Sequence, residues 1–307
     1  MHSSLKKMTR HNSLTLKVAL CYILSLCYLF SFGQKPDSKF SGVQVGVITY
    51  SYRTMPGKLE QVIDHIVKSG ISATELMGDP VEAYLGKPAD PKQVAAWRAS
   101  VSIEGFKKVK KMFNDAGVSI YAFKPNALGP DNTDEEVEYA LKAAKALGAK
   151  SVTVELPKDP KQSARLGKLA AKHKVYVSYH NHLQGNDQAW ITALAQSPYN
   201  AINLDCGHYI AAGGNNTRES LLTFIKANHK RITSMHLKDR KNKENGGANL
   251  PWGQGDTPID EILNLLKSMR YHIPLSVELE YPIPPASDAV KEVQKCVEYS
   301  ENVLSAK

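Results

Sequence analysis

Eight short apolar runs recur along the chain, separated by stretches whose apolar residues repeat every three or four positions. The runs are VQVGVITY (43–50), ISATELMG (71–78), VSIYAFK (118–124), SVTVEL (151–156), VYVSYHNH (175–182), NAINLDCG (200–207), ITSMHLKD (232–239) and PLSVELEY (274–281). Most are bounded by Gly, Pro, Asn or Asp, and a short apolar run with such borders predicts a strand buried on both faces, as in a parallel sheet. The stretches between them predict helices. LEQVIDHIVKSG (59–70) and IEGFKKVKKMFNDAG (103–117) end on a glycine suited to a left-handed helix stop, and DEEVEYALKAAKALGA (134–149) begins with acids that favour a helix N-terminus. Eight strands, each followed by a helix, predict a single-domain (β/α)8 TIM barrel over residues 43–305. A doubly wound sheet would have fewer strands, and no Gly-x-Gly-x-x-Gly follows the first one. Two long connections, 79–102 and 240–257, are expected to be loops walling a site, where Trp97 and Trp252 either stack on a substrate ring or simply pack the loops.

The N-terminal stretch does not share this alternation. Lys6, Lys7, Arg10 and Lys17 precede or open an apolar run, Val18–Phe32, that is followed by Gly33-Gln34. A basic segment, a short apolar core and a small residue predict a secretory signal peptide over residues 1–33, since a membrane span needs about 20 apolar residues. Residues 34–42 then read as a polar linker. Leu26 before Cys27 lacks the small residue of a lipidation signal, so the mature protein is expected to be exported, periplasmic and without stable membrane association. Cleavage removes four basic residues and no acid, so the net charge falls from +9 to +5. The basic run Lys107, Lys108, Lys110 and Lys111 lies on an amphipathic helical pattern and reads as a solvated face, with no nucleic-acid partner implied. Cys206 and Cys296 remain as free structural thiols, and a homo-oligomer is compatible with the composition.

The chemistry lies at the ends of the runs: Glu75, Lys124, Glu155, His180 with His182, Asp205 with His208, His236 with Lys238, and Glu278 with Glu280. A parallel barrel opens all its strand C-termini onto one face, so these side chains converge. Asp205, His236 and Glu278, with Glu280 as the competing register and His180 completing the set, are the candidate ligands of one divalent ion (Mn, Mg, Co or Zn). Lys124, His182, His208, Lys238, Glu280 and Trp252 are candidate substrate contacts. The candidate bases are Glu155 and Glu278, followed by His180.

VSYHNH, NLDCGH, MHLKD and SVELEY, in this order and spacing, resemble the xylose isomerase-like TIM barrel superfamily, with its ketose 3-epimerases, inosose dehydratases and barrels related to endonuclease IV. The resemblance spans about residues 43–302. It implies Asp205, His236 and Glu278 as metal ligands and His208 as a substrate contact. It also exposes a departure, because the strand-5 glutamate of the family falls on His180. In the epimerases that glutamate and the strand-8 glutamate act as a pair of proton carriers, so Glu155 is the candidate replacement here. The implied activity is metal-dependent isomerisation or epimerisation of a keto-sugar by proton abstraction α to its carbonyl. The alternatives are a 3-keto-glycoside lyase or hydratase acting by β-elimination, and a non-catalytic sugar-binding barrel. A DNA-repair enzyme would want further histidines where Glu75 and Lys124 stand.

Overall fold

A computed structural model describes residues 35–55 and 57–306; the expected signal peptide lies outside the described residues. The barrel strands are β1 (Val43–Ile48), β2 (Ala73–Met77), β3 (Ser119–Lys124), β4 (Ser151–Glu155), β5 (Tyr176–His180), β6 (Asn200–Asp205), β7 (Ile232–Leu237) and β8 (Leu275–Val277). Each pairs in parallel with the next, and β8 pairs with β1, which closes the TIM barrel. Helices surround it in the order the periodicity predicts.

Alternation along the strands divides the structure into two environments. Val45, Val47, Leu76, Val152, Val177, Leu204, Met235 and Val277 belong to the apolar core with Ile66, Phe106, Leu141, Leu166, Ile225 and Leu263 from the helices, all fully buried. Each such side chain contributes about 1.5–3 kcal/mol. The lumen is polar and cross-linked: Tyr121 on β3 reaches Ser276 on β8 at 2.6 Å. Gly46 makes room for that crossing, since a Cβ there would lie 2.7 Å from the Tyr121 ring.

Helix ends follow the local signals. Gly70, Gly117 and Gly148 all have positive φ, and Thr133 caps the helix Asp134–Leu147 through a capping box with Glu136.

Three segments differ from expectation. Residues 79–102 form no open loop: Gly78–Tyr84 and Pro91–Ser100 are helices, the second started by the Asp90 cap and Pro91. That helix has almost no apolar stripe, so periodicity could not show it. Part of the expected linker is built into the barrel, because Lys39–Phe40 pairs antiparallel with β1 and Ser38 is fully buried. Last, β8 is only three residues long, so Glu278 and Glu280 sit just beyond its ladder. Among the described residues no helix is long and apolar enough to cross a membrane.

Candidate metal centre

The strand ends deliver the polar side chains to one place. Register aligns His180 with Asn203, Asp205 with His236, and His236 with Ser276. One ligand-type atom from each of His180, Asp205, His236 and Glu278 falls within 4.8 Å of the others, and all four residues are buried. His236 Nδ1 lies 2.9 Å from Glu278 Oε2, and His180 Nε2 lies 3.8 Å from Asp205 Oδ2.

The tautomers of the two histidines follow from what lies behind them. His180 Nδ1 meets Asn203 Oδ1 at 2.6 Å. The Asn203 amide nitrogen points to Glu75 Oε2 and Ser234 Oγ, at 3.1 and 2.7 Å, so its oxygen is the atom facing His180. His180 therefore donates from Nδ1 and leaves the Nε2 lone pair toward Asp205. His236 Nε2 meets Glu75 Oε2 at 2.9 Å, with Glu75 fully buried. A carboxylate on one ring nitrogen, with the other directed at neighbouring ligand atoms, is the arrangement that orients metal-binding histidines.

A divalent cation fits this donor set. Asp205 Oδ2 is buried and makes no hydrogen bond, although Lys238 Nζ is 3.0 Å away in poor alignment. Two imidazole nitrogens and two carboxylate oxygens suit zinc, manganese or cobalt. Glu280 stands apart from the four: its Oε2 accepts from Lys238 Nζ at 2.6 Å, and its side chain is 24% exposed. Of the two registers weighed from sequence, Glu278 is the one the fold aims inward.

Charge is distributed unevenly. Burial alone would depress His236, but Glu75 and Glu278 outweigh it and raise the imidazole to about 10. Burial, reinforced by the charges on His236 and Lys124, holds His180 neutral. Asp205 is pushed up to about 7 by burial, against the pull of Lys238. Burial opposes the charge on Glu278 too, yet Lys238 and His236 hold its carboxyl well below the ordinary range. Lys238 is almost fully buried and lies 2.8 Å from Glu278 Oε2, so it neutralises the carboxylate cluster from the open side.

At the rim, Glu155 lies 2.9 Å from Lys124 Nζ and 3.3 Å from His182 Nε2. Glu155 and His182 are about half exposed, and neither belongs with the four inner residues. His180, His182 and His208 form a second group, with rings 4.7–6.3 Å apart. His208 is depressed to about 2 by burial and by the charges of Lys238 and Arg240. Trp252 packs edge-on against Tyr299 of the last helix, at 5.8 Å. Trp97 likewise packs edge-on against Tyr139, at 6.0 Å.

Two residues that matter here were assigned to no ligand, substrate-contact or base set from sequence, Glu75 counting only as one of the converging strand ends. Glu75 is a lone acid inside ATELM, and Asn203 lies mid-strand in NAINLD. Their partners follow from strand register and barrel closure; the available signal was a polar residue inside an otherwise buried strand.

The sequence model of the xylose isomerase-like TIM barrel family matches residues 63–299. No curated protein matches the chain. Among solved structures, a sugar phosphate isomerase/epimerase from Parabacteroides distasonis superposes with a TM-score of 0.61 at 18% identity, covering 86% of this chain and 96% of that one. The IolI protein with a bound zinc atom gives 0.63 at 20% identity, over 86% and 98%. D-psicose 3-epimerase from Clostridium cellulolyticum, holding D-tagatose, gives 0.60 at 14% identity, over 85% and 99%. At these identities the likeness establishes the fold.

Proposed function

The chain belongs to the xylose isomerase-like TIM barrel family, and from that premise we propose a divalent-metal-dependent isomerase or epimerase that removes a proton α to the carbonyl of a keto-sugar. The observation that carries the reading is the buried quartet His180, Asp205, His236 and Glu278, with Asn203 and Glu75 orienting its two imidazoles. The zinc carried by the IolI protein and the ketose held by D-psicose 3-epimerase, on the same barrel, support it.

A divalent ion held there supplies Lewis-acid polarisation of adjacent carbonyl and hydroxyl oxygens. The protein's groups do the rest. Glu278 is hydrogen-bonded to His236 and ion-paired with Lys238, which leaves it a weak base and suits it to ligation. Glu155, at the rim between Lys124 and His182, is then the proton carrier. Lys238 and His208 face the oxygens on which enediolate charge develops. Lys124 stays protonated: burial alone would lower it, and Glu155 and Glu75 more than compensate. The expected signal peptide places this chemistry outside the cytoplasm, where free or glycosidic sugars are the natural substrate class; N-terminal sequencing of the mature protein from a periplasmic fraction checks that placement.

One observation favours a second reading, a lyase that eliminates a β-substituent. His180 stands where the epimerases of the family carry their second proton-moving carboxylate, so reprotonation on the opposite face lacks its usual group. NMR in D₂O with metal-loaded protein, ketohexoses and 3-keto-glucosides distinguishes them. Deuterium α to the carbonyl, abolished by EDTA and by Asp205→Ala, is the expected result, and the product formed separates epimer from eliminated fragment. Metal-loaded protein that exchanges no proton in any of these substrates would overturn the enolisation mechanism.

A further inference from the structure

His208 belongs to the short helix Cys206–Ala212, which opens directly from β6, and its backbone N–H donates to Asp205 Oδ1 at 2.7 Å. Its ring is fixed by a residue with no part in the sequence-based reading. Arg240 Nη1 lies 2.6 Å from His208 Nδ1. A guanidinium has only donors and keeps its protons, so the ring nitrogen facing it must be the acceptor. The proton of the neutral imidazole therefore resides on Nε2. That nitrogen makes no hydrogen bond among the described residues: the nearest carboxylate oxygens, Asp205 Oδ2 and Glu280 Oε2, are each 3.9 Å away. It looks into the mouth beside Lys238 and the inner quartet.

Arg240 is itself held by the long connection after β7. Its Nε and Nη2 both donate to the Gly247 carbonyl, at 3.0 and 2.5 Å, and Gly247 has φ +65, a conformation glycine reaches without strain. Arg240 also lies in the small ladder Asp239–Arg240 with Asn249–Leu250, and its N–H donates to Thr257 Oγ1 at 3.1 Å.

We propose that Arg240 is a positioning residue that locks His208 as a neutral donor, proton on Nε2, aimed at the carbonyl oxygen of the keto-sugar, and that the 240–257 connection holds this lock through Gly247. The inference rests on the reading above and deepens it. His208 becomes an electrophilic hydrogen-bond donor to the developing oxyanion rather than a base. It also removes the histidine trio His180, His182 and His208 from consideration as a second metal site. His208 offers no free lone pair there, because Nδ1 accepts from Arg240 and Nε2 carries the proton.

Long-range ¹H–¹⁵N spectra of ¹⁵N-labelled protein read the tautomer directly, with His208→Asn assigning the signal. The expected wild-type pattern is an unprotonated Nδ1 and a protonated Nε2. In Arg240→Leu the His208 signals should move toward mixed tautomers while those of His180 and His236 stay in place. On a substrate that undergoes exchange, kcat should fall by about tenfold or more with KM nearly unchanged, as for a misdirected oxyanion donor. A wild-type His208 protonated on Nδ1 overturns the inference, and so does an Arg240→Leu spectrum and kcat identical to wild type. If Arg240→Leu fails to fold, the wild-type spectrum alone decides. Absence of any turnover would count against the enolisation mechanism and leave the tautomer measurement standing, so the two failures are distinguishable.

Discussion

Replacing Glu75 by Gln tests the link between the lumen and the metal centre. Glu75 is fully buried and accepts from His236 Nε2 at 2.9 Å, Asn203 Nδ2 at 3.1 Å and Ser276 Oγ at 3.4 Å. Gln keeps the shape and an acceptor oxygen, so the change removes mainly charge. Two opposing effects follow. Loss of the carboxylate behind a ligating imidazole weakens metal binding by about 10–100-fold, or roughly 1.4–2.7 kcal/mol. In the metal-free protein, however, Glu75 helps hold His236 protonated up to about 10. A protonated imidazole cannot ligate, so at pH 8 displacing that proton costs about 2.7 kcal/mol, at 1.36 kcal/mol per pH unit. Glu75→Gln lifts part of that cost. The net loss of affinity should therefore be largest near pH 9 and shrink toward pH 6.5.

The assay is competition of apoprotein with a chromophoric chelator for Co²⁺ or Mn²⁺ across that range. For wild type, log K should rise by about one per pH unit and more steeply below about pH 7, where Asp205 also carries a proton. Glu75→Gln should flatten the curve and lower its upper end. Superimposable curves for the two proteins would refute the placement of Glu75 behind the ligand.

Asn203→Ala frees His180 Nδ1 and should weaken metal binding about tenfold, read by the same titration, with little change in the His236-linked slope. Gly207→Ala would put a Cβ 2.4 Å from Lys238 Cγ; overpacking of about 1–3 kcal/mol should lower the melting temperature and raise KM by displacing Lys238. Arg98→Ala removes one of the two cations on fully buried Glu82, leaving Lys87 at 2.9 Å and Tyr139 at 3.1 Å, and also the partner of Glu136; denaturant titration should show a loss of about 1–3 kcal/mol.

The barrel was legible because its strands are buried on both faces and so write themselves as apolar runs, and the inner quartet because parallel strands collect their C-termini. What sequence could not supply was depth. Glu155 and Glu278 both close strand-like runs, yet one sits at the exposed rim and the other on the buried centre. Glu75 showed only as one strand-end acid among several and Asn203 not at all, because their partners are set by the closed barrel: His236 and Ser276 for Glu75, His180 and Ser234 on the flanking strands for Asn203. The helix Pro91–Ser100 was missed for a different reason: a charged anchor, Arg98 on Glu82 and Glu136, binds it to the protein in place of an apolar stripe. Trp252, in a glycine-rich connection, gave no sign that it would turn to Tyr299.

The most direct test of the central claim is anomalous diffraction from crystals of the protein loaded with Co²⁺ or Zn²⁺, recorded at the metal edge. One peak about 2.0–2.3 Å from His180, Asp205, His236 and Glu278 is the predicted result. A peak among His182, His208 and Glu155, or no peak with Lys238 still joining Asp205 to Glu278, would contradict it.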